Sequence, residues 1–317
     1  MVYAPIKLAP AFKDYLWGGD KLKHTFNKTC DLDRLAESWE LSAHKDGQST
    51  VAEGEYAGYT LTEYLNVLGR EALGSHSLTY EYFPLLIKLI DAKGDLSVQV
   101  HPSDEYALAH EGEYGKTEMW YILDCEEDAS LFYGFTRPVT KEEYAAAIRE
   151  GRLTELLNRV KVKPGDVFFI PAGTVHAIGA GILICEIQQN SNTTYRVYDY
   201  NRRDKDGNLR PLHVEKALEV SCTAPSPELP EIPNGTDVTL ASCRYFDVRR
   251  LRVTDRYTLS VDTRSFVSLV ITEGSGCLVY DGGTLAFNKG DSLFIPAQNA
   301  RLTVEGACEI ILSTVNG

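Results

Sequence analysis

Three side chains that could bind a metal ion lie close together in the segment LSVQVHPSDEYALAHEGEYGKTEMWYIL, residues 96–123. Gln99 and His101 are two positions apart in an alternating apolar pattern, so on a strand they leave the same face. Glu118 opens a later apolar run, and His176 follows PAGTV further along the chain. Two imidazoles, a carboxylate and an amide oxygen suit Zn²⁺ or another divalent first-row ion. The four residues predict a metal site that keeps one position open for water or substrate.

Each histidine by itself is weak evidence, because a strand histidine is more often an ordinary hydrogen-bonded residue. The order QVH, TEMWY, PAGTVH is what favours the metal site. The remaining five histidines have no such context, and we expect them to be surface or core residues: His24, His44, His76, His110 and His213.

The elements that must position these side chains are mostly strands. Short apolar runs alternate or extend over four to seven residues between turn signals, as in MWYILD, DVFFIPA and ILICEIQQ. Helical periodicity is confined to residues 141–160, and more weakly to 60–73 and 213–220. The sequence predicts a mainly β fold with a few helices.

A repeat defines the fold class. VKPGDVFFIPAGTVHAI, residues 162–178, aligns without a gap with FNKGDSLFIPAQNARLT, residues 287–303. A Gly-Asp turn, an apolar strand ending in Pro-Ala, a short loop and a strand beginning with histidine form the second motif of a cupin, a double-sheet jelly roll. We therefore expect two cupin-like jelly-roll units. In the second, Arg301 replaces His176, and a guanidinium cannot ligate a metal.

A proline-rich segment separates the two units. Residues 223–237 contain four of the thirteen prolines, which is typical of a linker or an extended surface crossing. We predict a catalytic, metal-binding domain with helical segments over residues 1–235, and a domain without metal ligands over residues 236–317.

Composition limits the possible partners. The net charge of −13 and a pI near 5.1 leave no basic surface for a phosphate backbone, so we expect no nucleic-acid partner. The seven cysteines are scattered and lack any CxxC spacing, which favours reduced thiols in the cytoplasm. No signal peptide or membrane span is recognisable, so we predict a cytoplasmic protein without a membrane partner.

Several motifs carry a resemblance to one family. LSVQVHPSD, GKTEMWYIL, FFIPAGTVHAIGAG and NSNTTYRVYDYNRRD resemble the motifs of type I mannose-6-phosphate isomerases in their short bacterial form, and YLWGG, AESWELSAH and FPLLIKLI extend the similarity. The resemblance implies one zinc ion per chain and a sugar-phosphate substrate. The implied reaction interconverts mannose 6-phosphate and fructose 6-phosphate through a cis-enediol. Oligomeric state is left open.

The resemblance also implies roles for individual residues. Gln99, His101, Glu118 and His176 match the zinc ligands, and Arg196 matches the essential arginine. Lys116 is a catalytic candidate, and the residues expected to bind substrate are Trp17, Glu37, Lys88, Ser97 and Glu186. Two positions depart from longer members, which have an acidic residue at the place of Asn192 and a tyrosine at that of Ile178.

The residues leave several alternatives open. Arg196 could stabilise the enediolate, grip the phosphate, or simply pair with Asp199. The base could be Lys116, Lys88, Glu186 or a zinc-bound hydroxide. Two rival functions are an Fe(II) cupin dioxygenase and a non-catalytic sugar-phosphate-binding cupin.

Overall fold

The computed structural model describes residues 3–203, 207–226 and 228–317. The α-helices are α1 (Lys21–Thr25), α2 (Leu61–Leu68), α3 (Asp104–His110), α4 (Lys141–Arg149) and α5 (Val214–Val220). Short 3₁₀ helices span Arg70–Leu73, Ser75–Ser77 and Leu153–Glu155. No helix in these ranges is long and apolar enough to cross a membrane.

Strands make up most of the regular structure, which confirms the mainly β, cupin-like prediction. Those before the proline-rich segment are β1 (Ile6–Ala9), β2 (Ala11–Lys13), β3 (Glu37–Leu41), β4 (Ala43–His44), β5 (Gly47–Gln48), β6 (Thr50–Val51), β7 (Leu85–Ala92), β8 (Val98–Val100), β9 (Glu118–Cys125), β10 (Ser130–Phe135), β11 (Leu157–Lys161), β12 (Val167–Ile170), β13 (His176–Ala177), β14 (Ile182–Gln189) and β15 (Tyr195–Tyr198). Those after it are β16 (Asp237–Ser242), β17 (Phe246–Val253), β18 (Arg256–Val261), β19 (Val267–Tyr280), β20 (Gly283–Asn288), β21 (Ser292–Ile295) and β22 (Ala300–Val315).

The prediction of a helix over residues 141–160 is wrong beyond Arg149, where α4 ends. Gly151 adopts a φ of 70° and closes the helix with the two hydrogen bonds of a Schellman motif, Gly151 N to Ile148 O and Arg152 N to Ala147 O. The chain then forms a 3₁₀ turn and strand β11, which pairs with β10. The apolar periodicity persisted because the leucines after the helix also pack into the core.

The chain forms two compact units. The first contains the described residues of Met1–Lys13 together with Asp20–Leu89 and Glu231–Gly317, and the second contains Asp14–Gly19 and Ile90–Pro230. The chain passes between units at Pro230, near the predicted boundary at residue 235, but the first unit also takes in residues 20–89. The simple division at residue 235 stays a prediction.

Two sheets form the second unit. One includes strands in the order β12-β9-β14, and the other has the order β11-β10-β13-β8-β15. Helices α4 and α5 cover one face of the latter, where Val98 and Val100 of β8 pack with Tyr144 and Ala217. Because side chains alternate along a strand, Gln99 between these two valines projects from the opposite face. This alternation directs the candidate metal ligands away from the helices.

In the first unit, strands in the order β16-β17-β22-β19-β21-β1-β6 form a large sheet, with β18 added on β22 and β20 on β19. Its apolar core is built from strands of residues 251–312, including Leu269, Phe287 and Leu302.

The predicted repeat is visible in the backbone. Strands β12 and β21 occupy the same positions of the two repeats, and each follows a glycine with almost the same φ, 93° at Gly165 and 92° at Gly290. In both turns the aspartate after the glycine, Asp166 or Asp291, accepts a hydrogen bond from the backbone N–H three residues earlier, at 2.9 and 2.8 Å. The same local sequence therefore builds the same turn in both units.

Candidate metal centre

Three of the four predicted ligands converge in the second unit. Ligand atoms of His101, Glu118 and His176 all lie within 4.8 Å of one another, and all three residues are buried. Glu118 Oε2 is 3.6 Å from His101 Nε2, and Glu118 Oε1 is 3.4 Å from His176 Nε2. Glu118 begins β9 of one sheet, whereas His176 begins β13 of the other, so side chains of both sheets meet at this point.

Both imidazoles are oriented by backbone carbonyls. Nδ1 of His101 lies 3.0 Å from the carbonyl oxygen of Thr193, and Nδ1 of His176 lies 2.8 Å from that of Thr174. Since a carbonyl can only accept, each Nδ1 carries the proton and each Nε2 keeps its lone pair for a metal. Burial lowers the pKa of His176 to about 4, which keeps that ring neutral. The donor set and its orientation fit a divalent ion such as Zn²⁺.

Gln99 lies beside this group. Its side-chain amide is 3.5 Å from Nε2 of His176, and Gln99 and His176 are cross-strand partners of β8 and β13. A 180° rotation of an amide exchanges its nitrogen and oxygen, so the same position can present the oxygen to a metal.

Lys116 lies directly against the candidate ligands. Its Nζ is 2.5 Å from Glu118 Oε2 and 3.1 Å from His101 Nε2, and the residue is 4% exposed. Glu186 is also close, with Oε1 at 3.9 Å from Lys116 Nζ. The Lys116 side chain therefore contacts the carboxylate side of the ligand group.

Trp120 holds the carboxylate of Glu186, which lies beside Lys116. Its indole Nε1 donates a 2.9 Å hydrogen bond to Glu186 Oε2, and its ring meets that of His176 edge to face at 5.2 Å. Trp120 is fully buried, so its ring belongs to the core around the site.

The first unit has a similar trio. Trp39 Nε1 donates to Glu37 Oε2 at 2.6 Å, and Lys88 Nζ is 3.7 Å from the same oxygen and 5.1 Å from the centre of the Trp39 ring. Glu37 and Lys88 are both buried. These two predicted substrate-binding residues thus lie together, as a buried ion pair on an aromatic ring.

Arg196 is placed by the edge strand of the five-stranded sheet. It lies directly opposite Gln99 in the pairing of β15 with β8, at an irregularity in the register. Its Nε is 3.3 Å from Ser97 Oγ, and its Nη1 donates to the carbonyl of Pro211 at 3.0 Å. Burial, with the like charges of Arg210 and Arg202, lowers the pKa of Arg196.

Asp199, the alternative partner of Arg196, bonds to other arginines. Its Oδ1 accepts from Arg202, and its Oδ2 is 3.0 Å from Arg210 Nε. The aspartate is buried, and its charge and those of Arg202 and Arg210 all act on Arg196. Several guanidinium groups in one region suit an anionic substrate group.

The last predicted substrate residue, Trp17, is 7% exposed, and its carbonyl accepts from Gly94 N at 2.9 Å.

Two positions, Ile178 and Asn192, depart from the pattern of longer members of the family that the sequence resembles. Ile178 is buried. Beside Asn192, the hydroxyl of Thr193 lies 3.3 Å from Glu113 Oε2, so a carboxylate from another segment is present there.

Several residues of the site could not be recognised from the sequence. Thr174 and Thr193 act through backbone carbonyls, which any residue type could supply. His213, which we expected to be an ordinary surface or core residue, forms two hydrogen bonds with the backbone of Arg196. The contact of His213 with Arg196 depends on how α5 packs against the sheet, which residue spacing does not predict.

The C-terminal jelly roll, which belongs to the first unit, has other residues at the ligand positions. Glu118 lies opposite Ile170 in the ladder of β9 with β12, and the equivalent partner of Ile295 is Val267. His176 corresponds in the repeat to Arg301. Among the residues that the structure describes, His101, Glu118 and His176 form the one group of this kind suited to a metal.

A jelly roll whose two sheets bring two histidines and a glutamate together defines a cupin with a group that could hold a metal ion. Residues 6–128 match the model of the phosphomannose isomerase type I catalytic domain, and residues 236–315 match that of the mannose-6-phosphate isomerase cupin domain. The chain belongs to the type I mannose-6-phosphate isomerase family.

Full-length relatives agree with this assignment. The chain is 44% identical to the mannose-6-phosphate isomerase ManA of Bacillus subtilis, with 99% of each chain covered. It is 38% identical to a mannose-6-phosphate isomerase of Streptococcus mutans, with 98% of each covered. The crystal structure of the mannose 6-phosphate isomerase from Bacillus subtilis matches with a TM-score of 0.91 at 40% identity, over 98% of this chain and 99% of that one.

Proposed function

We propose that this protein is a zinc-dependent isomerase that interconverts D-mannose 6-phosphate and D-fructose 6-phosphate. The observation that supports it most directly is the buried group of His101, Glu118 and His176, with both imidazoles oriented by carbonyls. These residues, with Gln99, would hold one Zn²⁺ per chain. Bound Zn²⁺ would polarise the substrate carbonyl and offset the negative charge that develops on its oxygen.

Arg196 would stabilise that developing charge. It lies opposite Gln99 and reaches Ser97, two positions before Gln99 in the sequence. A guanidinium stays charged and offers a planar pair of donors, which suits an enediolate or a phosphate. Its partial burial strengthens the interaction with an oxyanion.

Proton transfer between C1 and C2 needs a group within hydrogen-bond reach of both carbons. Lys116 is the proposed carrier, because its Nζ contacts two of the proposed ligands and Glu186 lies beside it. Trp120 holds the Glu186 carboxylate in place. Trp17, Glu37, Lys88 and Ser97 are proposed to bind the substrate.

A coupled assay of the purified protein tests the proposal. We expect formation of fructose 6-phosphate from mannose 6-phosphate, loss of turnover with a chelator, recovery with Zn²⁺, and about one zinc per chain by elemental analysis. Tight binding of mannose 6-phosphate without turnover by the zinc-loaded protein would instead identify a binding protein. Oxygen uptake by the iron-loaded protein would identify a dioxygenase.

A further inference from the structure

The backbone of Arg196 is held by a histidine at the start of α5. The N–H of Arg196 donates to Nδ1 of His213 at 3.2 Å, and the N–H of His213 donates to the carbonyl of Arg196 at 2.8 Å. Two residues before His213, the carbonyl of Pro211 accepts from the guanidinium of Arg196 at 3.0 Å. One short segment therefore contacts Arg196 at its N–H, its C=O and its side chain.

The hydrogen bonds between His213 and the backbone of Arg196 take the place of a neighbouring strand at the edge of the sheet. β15 is the last strand of its sheet, so one row of its backbone groups has no neighbouring strand. Because both polar backbone groups of Arg196 bond to His213, they point away from β8. Arg196 and Gln99 are then a non-hydrogen-bonded pair, the type in which opposite side chains lie closest. His213 thus sets the spacing between Arg196 and a proposed metal ligand.

The hydrogen bond also fixes the state of the ring. Nδ1 accepts from a backbone N–H, so it carries no proton. Burial, the charge of Arg196 and that of Lys216 lower the pKa of His213, which keeps the ring neutral near pH 7. The ring also packs near Tyr195, at 6.2 Å between ring centres.

We propose that His213 is a positioning residue for Arg196: its Nδ1 and backbone N–H hold the edge of β15 so that the guanidinium faces the metal centre. This inference rests on the proposed role of Arg196 in the isomerase reaction. It assigns His213 no contact with substrate or metal.

Two substitutions test the hydrogen-bond acceptor of His213 and its ring independently. His213→Phe keeps the ring shape and removes the acceptor, so the N–H of Arg196 loses its partner. His213→Asn removes the ring but keeps an acceptor one bond from Cγ, where Nδ1 lies. We expect His213→Phe to lower kcat about tenfold, which corresponds to one lost hydrogen bond, with zinc content unchanged. His213→Asn should recover most of that loss.

His110→Phe is the matched control and should be neutral, because His110 is exposed and bonds only to the carbonyl of Tyr106 among the described residues.

A double-mutant cycle tests whether His213 acts through Arg196. In an Arg196→Ala background, His213→Phe should change kcat by less than about twofold, because the group that it positions is gone. An equal loss of kcat in both backgrounds would overturn the proposal and indicate a general structural role. So would an Asn variant as slow as the Phe variant.

Hydrogen exchange gives a readout that does not need turnover. The amide of Arg196 should lose protection in His213→Phe and keep it in His213→Asn. Equal protection in wild type and His213→Phe would overturn the positioning role. Absence of turnover by the zinc-loaded wild type would instead overturn the isomerase function, so the two failures can be told apart.

Discussion

Arg196 on β15 lies directly opposite Gln99 on β8. Gln99 is in turn the cross-strand partner of His176 on β13, so three residues with proposed roles form one row across three adjacent strands. Residues in such a row project from the same face of a sheet. The row places the guanidinium of Arg196 on the same face as two proposed metal ligands, an arrangement that suits a developing oxyanion.

Replacing Arg196 should reveal which charge it stabilises. We expect Arg196→Ala to lower kcat by roughly 10²- to 10³-fold while zinc stays bound, as when one charge-stabilising donor is removed from an active site. Arg196→Lys keeps the charge but loses the planar fork, so its kcat should lie between those of the wild type and Arg196→Ala. Steady-state kinetics would refute the catalytic role if the loss fell on KM alone, the pattern of a contact made equally in ground and transition states.

Replacing the proposed ligands should remove both metal and activity. His101→Ala, Glu118→Ala and His176→Ala each lose one of few strong donors, so elemental analysis should find little zinc and the coupled assay no turnover. Gln99→Ala should be milder, because an amide is the weakest donor of the four. His24→Ala is the control, since that side chain is 74% exposed. Full zinc in His176→Ala would be incompatible with the proposed site.

The C-terminal jelly roll should bind no metal. Val267 and Arg301 lie where the jelly roll of the second unit has Glu118 and His176, and neither can donate a lone pair to a cation. Titration of the whole chain with Zn²⁺ should saturate at one tight site, and His176→Ala should remove it. A tight site that survives in this variant would show a second metal centre.

A buried ion pair should stabilise the first unit. Lys28 Nζ is 2.6 Å from Glu40 Oε1, and the Glu40 oxygens also accept from Ser38 and Ser292. Lys28→Met leaves that carboxylate buried without its cation, so we expect a loss of about 3 kcal/mol in the free energy of unfolding.

Two controls accompany this prediction, measured by denaturant unfolding. Glu40→Gln added to Lys28→Met should recover part of the loss, because the uncompensated charge is gone. Lys161→Met breaks an ion pair with Asp128 in which both side chains are exposed, and it should cost less than about 1 kcal/mol. Equal costs for Lys28→Met and Lys161→Met would contradict the role of burial.

The repeat provides a matched pair of glycines. Gly165→Ala should cost about 1–2 kcal/mol, because φ is 93° there but nothing lies within 4 Å of an added Cβ. At Gly290, with φ of 92°, an added Cβ would lie 2.0 Å from the carbonyl oxygen of Phe26. Gly290→Ala should therefore be clearly more destabilising in thermal unfolding. Equal shifts in Tm would show that the close approach relaxes at no cost.

Local structure could be predicted from the sequence wherever a pattern allows only one physical interpretation. Alternation around Gln99 put Val98 and Val100 under the helices and the amide on the other face. The repeat identified the same turn at Gly165 and Gly290, because a Gly-Asp pair favours that backbone conformation in either context. The four candidate ligands and Arg301 could be singled out from the sequence as candidates, because the ability to donate a lone pair to a metal belongs to the side chains themselves.

Features that depend on contacts between distant segments became visible only in the folded chain. Periodicity could not end the helix at Arg149, because buried leucines continue the same pattern into β11. The carbonyls of Thr174 and Thr193 orient the imidazoles, but backbone groups leave no mark in a sequence. His213 meets Arg196 across an open sheet edge, and Asp199 takes Arg202 and Arg210 as partners. Such pairings are set by how the elements pack, so residue type and spacing do not determine them.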